Sequence, residues 1–123
     1  MLFLTSTQYH VSILETKIRT GTVTCVGHFD NKLIQRFFAA VLKLKSIEDC
    51  EVFFDDVCTI KEVENMSSRL EVAFLLNDGM NYLDIAKQTG VSTATISRVS
   101  KCLNYGPGGY KLAIDRLSED NKE

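Results

Sequence analysis

Residues 81–103 constrain the fold of this chain most strongly, because two helix starts and one helix stop follow each other there at short intervals. Asn81 and Ser92 are suited to helix N-termini, since their side-chain oxygens accept hydrogen bonds from the first free backbone N–H groups. Gly90, between them, readily takes the left-handed conformation that ends a helix. The spacing predicts two short helices joined by a tight turn, which is the helix-turn-helix arrangement.

Apolar residues in this stretch recur at the three- and four-residue intervals of a helix face. We expect them to form one buried surface: Leu83, Ile85, Ala86, Ile96, Val99 and Leu103. The small Ala86 falls where the two helices would cross, and Val91 would fill the corner between them. The alternative is a plain helical hairpin with its threonines on a solvated face. That alternative requires the caps, the glycine and the apolar positions to coincide by chance at the spacing of the motif.

The second helix, expected over residues 92–104, begins with small side chains that suit close contact with DNA bases. A recognition helix places its N-terminal residues against base edges in the major groove. Thr93, Ala94 and Thr95 hold these positions, where methyl groups suit thymine and hydroxyls donate or accept hydrogen bonds. Three basic side chains nearby complete the predicted DNA-binding set by attracting phosphates: Lys87, Arg98 and Lys101.

Charge is distributed unevenly along a chain of otherwise ordinary composition. The 123 residues are 45% hydrophobic and 24% charged with one proline, which is typical of a single helical domain. A net charge of −2 excludes a uniformly basic nucleic-acid binder. Residues 81–117, however, hold five basic and two acidic side chains, whereas acids concentrate between residues 48 and 64. We therefore expect a mildly positive half that faces DNA and an acidic half that does not.

Groupings typical of enzymes, metal sites and membrane proteins are missing from the sequence. Both histidines, His10 and His28, precede the helical body, and no Ser/His/Asp set occurs. A glutamate-based active site is an alternative that no residue pattern supports. The four cysteines form no C-x-x-C pair, so we expect them to be reduced and buried, with no metal site. No run approaches the ~20 apolar residues of a membrane span, and no signal peptide is recognisable. We expect a cytoplasmic protein that is not an enzyme.

Residues 1–29 differ from the rest of the chain in their density of β-branched side chains. Locally this favours strand. Nothing elsewhere in the chain would pair with such strands, and an isolated hairpin is only marginally stable in water. We expect an irregular or β-prone N-terminal arm that is poorly ordered or loosely docked.

Helical patterns continue from residue 30 to residue 117. Asp30, Ser46 and Thr59 are predicted to begin three helices, the last through a capping box with Glu62. A glycine-rich turn at residues 104–110 precedes a final helix, and residues 118–123 are expected to be a polar tail. The phenylalanines supply more apolar surface than one small helical domain hides: Phe37, Phe38, Phe53, Phe54 and Phe74. Core packing would account for them, but we favour an intertwined homodimer, because two-fold symmetry also pairs recognition helices.

Several segments together match a known family more specifically than the helix-turn-helix does alone. They are residues 53–59, 69–73, 93–99 and 102–106 with 108–111. From about residue 32 to residue 117 the chain resembles the Trp-repressor superfamily, in its YerC/YecD branch. The resemblance implies an all-α, six-helix domain, an interlocked homodimer and DNA-binding transcription regulation. It leaves residues 1–29 unexplained.

The resemblance also implies a ligand site. Tryptophan-binding members of the family hold a corepressor between two arginines with a threonine nearby, and these positions fall on Arg69, Arg98 and Thr59. A guanidinium can pair with a carboxylate or stack on an aromatic ring, although Arg69 could instead pair with a glutamate of its own helix. Those members have glycine where this chain has Val99, whose methyl groups occupy space that a flat ring needs. Tryptophan is therefore disfavoured, which leaves an unidentified small anionic corepressor or no ligand.

These observations predict an all-α, homodimeric DNA-binding transcriptional regulator, specifically a repressor, with double-stranded DNA as its partner and no cofactor. The alternative is a helical protein-interaction module that keeps the helix-turn-helix as a scaffold. Two features favour that alternative. The net charge is close to neutral. Leu83 and Ala86 also stand where tryptophan-binding members carry basic residues that contact DNA phosphates.

Overall fold

A computed structural model of the protein describes residues 29–120. Within that range the chain forms six α-helices and no β-strand, which confirms the all-α expectation. The helices are α1 Lys32–Val41, α2 Ile47–Val57, α3 Ile60–Asn77, α4 Tyr82–Thr89, α5 Thr93–Tyr105 and α6 Gly109–Asp120. The predicted β-prone arm lies outside the described residues except for Phe29.

Short polar side chains begin the first two helices. Asn31 caps α1, since its Oδ1 accepts the backbone N–H of Leu33 at 2.8 Å. The prediction of Asp30 as the cap is wrong by one residue, because α1 begins at Lys32 and the residue directly before it holds the N-cap position. At α2 the Ser46 hydroxyl oxygen accepts the N–H of Asp49 at 3.1 Å, as predicted.

Both ends of α3 are fixed by local hydrogen bonds. Thr59 Oγ1 accepts the N–H of Glu62, and Glu62 Oε2 accepts the N–H of Thr59 at 2.8 Å, which confirms the predicted capping box. At the other end Gly79 has a φ of +85°. The N–H of Met80 then reaches back to the carbonyl oxygen of Leu75 at 3.0 Å, closing a Schellman motif. These bonds set where α4 begins.

The chain divides after Phe53 into two compact units. In the first unit aromatic rings gather around α1: the ring centroid of Phe37 lies 5.9 Å from those of Phe38 and Phe53. The ring of Phe38 meets that of Phe29 edge-on at 5.8 Å. Neither α1 nor α2 contains a buried residue, although both are rich in large apolar side chains.

The second unit has a buried core. Helix α3 packs against α4, α5 and α6, and α5 also contacts α4 and α6. The buried side chains of these four helices are Val72, Ala73, Leu75, Ile85, Ile96, Val99, Leu103 and Ile114. Ala86 and Val91 pack against this core, as predicted. Leu83 does not, since it is 70% exposed. It lies about 200° around α4 from the buried Ile85 and so points away from the core.

The sequence-based expectations for the C-terminal end and the cysteines need correction. Helix α6 continues to Asp120, so residues 118–120 are helical rather than part of a tail. Cys50 and Cys58 are half-buried, whereas Cys102 is exposed, because the neighbouring Val99 and Leu103 are the α5 positions that face the core. All three are free cysteines. Over residues 29–120 no helix is long and apolar enough to cross a membrane.

Candidate nucleic-acid interface

The turn between α4 and α5 has the geometry that the sequence predicts for a helix-turn-helix. Asn81 begins α4 by accepting the N–H of Asp84 at 3.1 Å. Gly90 ends it with a φ of +71°, and its N–H donates to the carbonyl oxygen of Ala86 at 2.9 Å. Ser92 begins α5 by accepting the N–H of Thr95 at 3.3 Å. The predicted caps are therefore confirmed, and α5 begins and ends one residue later than expected.

The side chain of Thr89 stabilises the turn through two hydrogen bonds to the backbone. Its hydroxyl donates to the carbonyl oxygen of Ile85 at 2.7 Å and accepts the N–H of Val91 at 3.2 Å. One side chain therefore links the last turn of α4 to the residue that fills the corner. Because Ile85 and Val91 both belong to the core packing, the start of α5 is fixed relative to the other helices of its unit.

The three predicted base-contacting residues differ in their surroundings. Thr93 and Ala94, at the first positions of α5, are exposed. Thr95 is half-buried, and its hydroxyl accepts a hydrogen bond from the Ser92 hydroxyl at 3.1 Å. Thr93 and Ala94 are thus open to a ligand, whereas Thr95 also helps to form the start of the helix.

The predicted basic residues are exposed and carry unopposed charge. Lys87 lies in the last turn of α4, and Arg98 and Lys101 lie on α5, which contains no acidic residue. None of the three forms an ion pair with any of residues 29–120, where an ion pair is found instead between Lys61 and Glu64 at 3.5 Å. These three exposed side chains therefore offer positive charge that suits an anionic partner.

Tyr105, in the last position of α5, was not among the predicted contact residues. Its side chain is 87% exposed. It follows Arg98 and Lys101 by seven and four residues, so it continues the exposed face of α5 on which they lie. This helical spacing is visible in the sequence.

A cavity of about 800 Å³ lies beside the turn of the helix-turn-helix and is lined on one side by residues of α3. Of the ligand-binding residues implied by the family resemblance, Arg69 lines the cavity, but Thr59 and Arg98 do not. The Thr59 hydroxyl is engaged with Glu62 at the start of α3. Arg69 forms no ion pair with the described residues, so the alternative pairing with a glutamate of its helix is not seen.

Val99 does not lie on the wall of this cavity. Its side chain is 1% exposed and belongs to the core beneath α5. The predicted clash between Val99 and a flat aromatic ligand therefore stays a prediction. Among residues 29–120, no three His, Cys, Asp or Glu side chains are placed to hold a metal ion.

Comparisons with known proteins place the chain among helix-turn-helix regulators. The family model described as Trp repressor protein matches residues 32–118. Among curated proteins, the uncharacterized protein YerC of Bacillus subtilis (strain 168) is 49% identical over 92 residues, which cover 75% of this chain and 88% of YerC.

Two solved structures are similar to this chain in both sequence and fold. A TrpR-like protein from Eubacterium eligens ATCC 27750 superposes with a TM-score of 0.71 at 47% identity, covering 73% of this chain and 93% of that one. A protein from Staphylococcus aureus, described as a candidate Trp repressor, superposes with a TM-score of 0.69 at 40% identity, covering 72% and 88% of the two chains. The family match runs from the start of α1 nearly to the end of α6. The chain therefore belongs to the Trp repressor family, on the branch that includes YerC.

Proposed function

We propose that this protein is a sequence-specific DNA-binding transcriptional regulator, a repressor, that acts as a homodimer through its helix-turn-helix. Membership of the Trp repressor family supports a helix-turn-helix regulator in general. The observation that supports the finer proposal is the start of α5, where exposed Thr93 and Ala94 stand on a turn fixed by Thr89. Unpaired basic side chains lie close to them in the sequence.

In this proposal α5 enters the major groove with its N-terminal end first. Thr93 offers a hydroxyl that donates or accepts a hydrogen bond, and the methyl groups of Thr93 and Ala94 suit the thymine methyl. Lys87, Arg98 and Lys101 contact phosphates and set the register of the protein on the duplex. Base contacts thus supply discrimination between sequences, and phosphate contacts supply affinity that falls as salt rises.

The homodimer is supported by the apolar surface of α1 and α2. Neither helix buries a residue, and large apolar side chains on them, such as Leu33 and Ile47, are about three-quarters exposed at 74% and 75%. Large apolar side chains that a single chain leaves exposed on two successive helices suit an interface with a second chain. A two-fold dimer would bury it and present two α5 helices, which suits half-sites about one DNA helical turn apart.

Selection of genomic fragments with the purified full-length protein tests the proposal. The selection is run at two salt concentrations, each with and without added tryptophan. We expect enrichment of a palindromic sequence with half-sites about 10 base pairs apart centre to centre, binding that weakens at the higher salt concentration, and no response to tryptophan.

Sequence-blind binding, or none, would contradict the proposal. The protein-interaction module would then become the better account of the fold, and a protein partner should be sought. If the protein selects a palindromic site but its binding responds to tryptophan, the DNA-binding proposal stands and the argument from Val99 is overturned.

A further inference from the structure

One exposed face of α5 extends along the whole helix. At about 100° per residue, Ala94, Arg98, Lys101 and Tyr105 fall within a narrow stripe opposite the buried Ile96, Val99 and Leu103. All four side chains of this outer stripe are exposed. The surface that α5 offers to a ligand therefore continues from its N-terminal turn to its last residue.

The aromatic side chain of Tyr105 lies at the far end of the outer stripe and takes no part in the packing of the core. Tyr105 is 87% exposed, and none of residues 29–120 forms a hydrogen bond with its hydroxyl. The two stripe residues before it are cations without an acidic partner in the described chain. A tyrosine hydroxyl next to free positive charge is suited to a phosphate oxygen, to which such side chains commonly donate in protein–DNA complexes.

The chain directly after Tyr105 fixes the direction in which the helix ends. The N–H of Gly106 donates to the carbonyl oxygen of Cys102 at 2.8 Å. A side chain at Gly106 would overlap that same carbonyl oxygen. Gly108 then has a φ of +95°, which turns the chain into α6. Tyr105 is thus held at a defined helix end rather than on a loose loop.

The length of α5 decides what Tyr105 can reach on DNA. At 1.5 Å per residue, Tyr105 lies about 16 Å along the helix from Ala94. The major groove is about 12 Å wide and about 8.5 Å deep, so a helix of this length that inserts its N-terminal end first extends past the base edges, and its last residue lies nearer the sugar-phosphate backbone. Tyr105 is therefore placed to contact phosphate or sugar and not a base.

We infer that Tyr105 is a further DNA-contacting residue, which anchors the C-terminal end of α5 on the backbone of duplex DNA. This inference rests on the proposed DNA-binding function and adds a contact that Thr93, Arg98 and Lys101 do not supply. Because tyrosine is neutral, the contact contributes affinity without releasing a counterion. It should not change the dependence of binding on salt.

The test measures binding of the full-length protein to two duplexes by fluorescence anisotropy across a salt series. One duplex carries the selected site, and the other carries the same bases in scrambled order. The Tyr105→Phe variant removes only the hydroxyl, and Tyr105→Ala removes the ring as well. Lys101→Ala is the matched comparison on the same stripe, and Lys43→Ala controls for loss of an exposed lysine away from α5. Circular dichroism confirms that each variant is folded.

We expect Tyr105→Phe to weaken binding to both duplexes alike, by about two- to tenfold, as for the loss of one hydrogen bond. The salt slope should stay at the wild-type value, whereas Lys101→Ala should lower it by about one. Wild-type affinity for both Tyr105 variants would overturn the inference and leave the outer stripe to another partner, such as a protein. A loss confined to the selected duplex would overturn it as well. If the wild-type protein binds neither duplex, the proposed function itself fails, and that outcome is distinct from both.

Discussion

Glu62 shows how one exposed side chain defines the start of a helix. The backbone N–H of Thr59, and to a lesser degree its hydroxyl, hydrogen-bond the carboxylate and lower the pKa of Glu62 below its ordinary value. A carboxylate whose pKa is lowered by folding stabilises the folded state fully above the ordinary glutamate pKa of about 4.3. That contribution is lost as the pH falls through the lowered, folded value.

The Glu62→Gln variant should therefore lose less stability on acidification than the wild type. Glutamine can still bond to the N–H of Thr59, but it does not titrate. Thermal unfolding followed by circular dichroism at several pH values from 6 to 3 measures the difference, with Glu71→Gln, another exposed glutamate of α3, as the control. Parallel pH profiles for the wild type and Glu62→Gln would contradict the assignment.

Most predictions of single residues were confirmed where the chemistry is local, and two of those that depend on burial were wrong. The cap at Asn81 and the capping box at Thr59 follow from bonds within four residues. Leu83 and Cys102 are exposed because they lie on the sides of their helices that face away from the neighbouring helices. The apolar character of a residue does not by itself predict which side of a helix is buried. The bond between the Ser92 and Thr95 hydroxyls depends on side-chain rotamers, which the sequence does not specify.

Gly90 ends α4 in the left-handed conformation and so lets the chain turn towards α5. Its φ of +71° is costly for any residue with a Cβ, although nothing lies within 4 Å of the place a Cβ would take. Gly90→Ala should therefore lower the free energy of unfolding through backbone strain alone, by about 1 kcal/mol.

Gly109→Ala is the matched control for that change. Gly109 also has nothing within 4 Å of a Cβ, but its φ is not positive, and it is the first residue of α6. Alanine there should leave stability unchanged or raise it slightly, since it favours the helix. Urea denaturation measures both variants. Equal losses would show that the left-handed turn is not what Gly90 provides.

The order and type of the elements were predictable because each helix has a periodic apolar face and most of them have a capping residue at the start. Five of the six helix starts are marked by side chains that the structure confirms or moves by one residue. The cavity beside Arg69 was not predictable in the same way. Its walls come from α3 and from the turn after α4, so its shape depends on packing between elements.

We predict that α1 and α2 hold two copies of the whole molecule together as a dimer. Leu33 on α1 and Leu83 on α4 are similarly exposed in the single chain, at 74% and 70%. If the chain acts alone, aspartate should be tolerated equally at both positions. If α1 forms the interface, Leu33→Asp should reduce the mass in solution from twice to once that of the chain or should unfold it, whereas Leu83→Asp should leave the dimer intact. Sedimentation equilibrium decides between these results.

Whether the start of α5 reads the DNA sequence is measured by the discrimination ratio, which is the affinity for the selected duplex divided by that for the scrambled duplex. We predict that Thr93→Ala lowers this ratio about tenfold, as expected for the loss of a base contact. Lys101→Ala should weaken binding to both duplexes alike and leave the ratio unchanged. Equal loss on both duplexes for Thr93→Ala would contradict the claim that the start of α5 reads the DNA sequence.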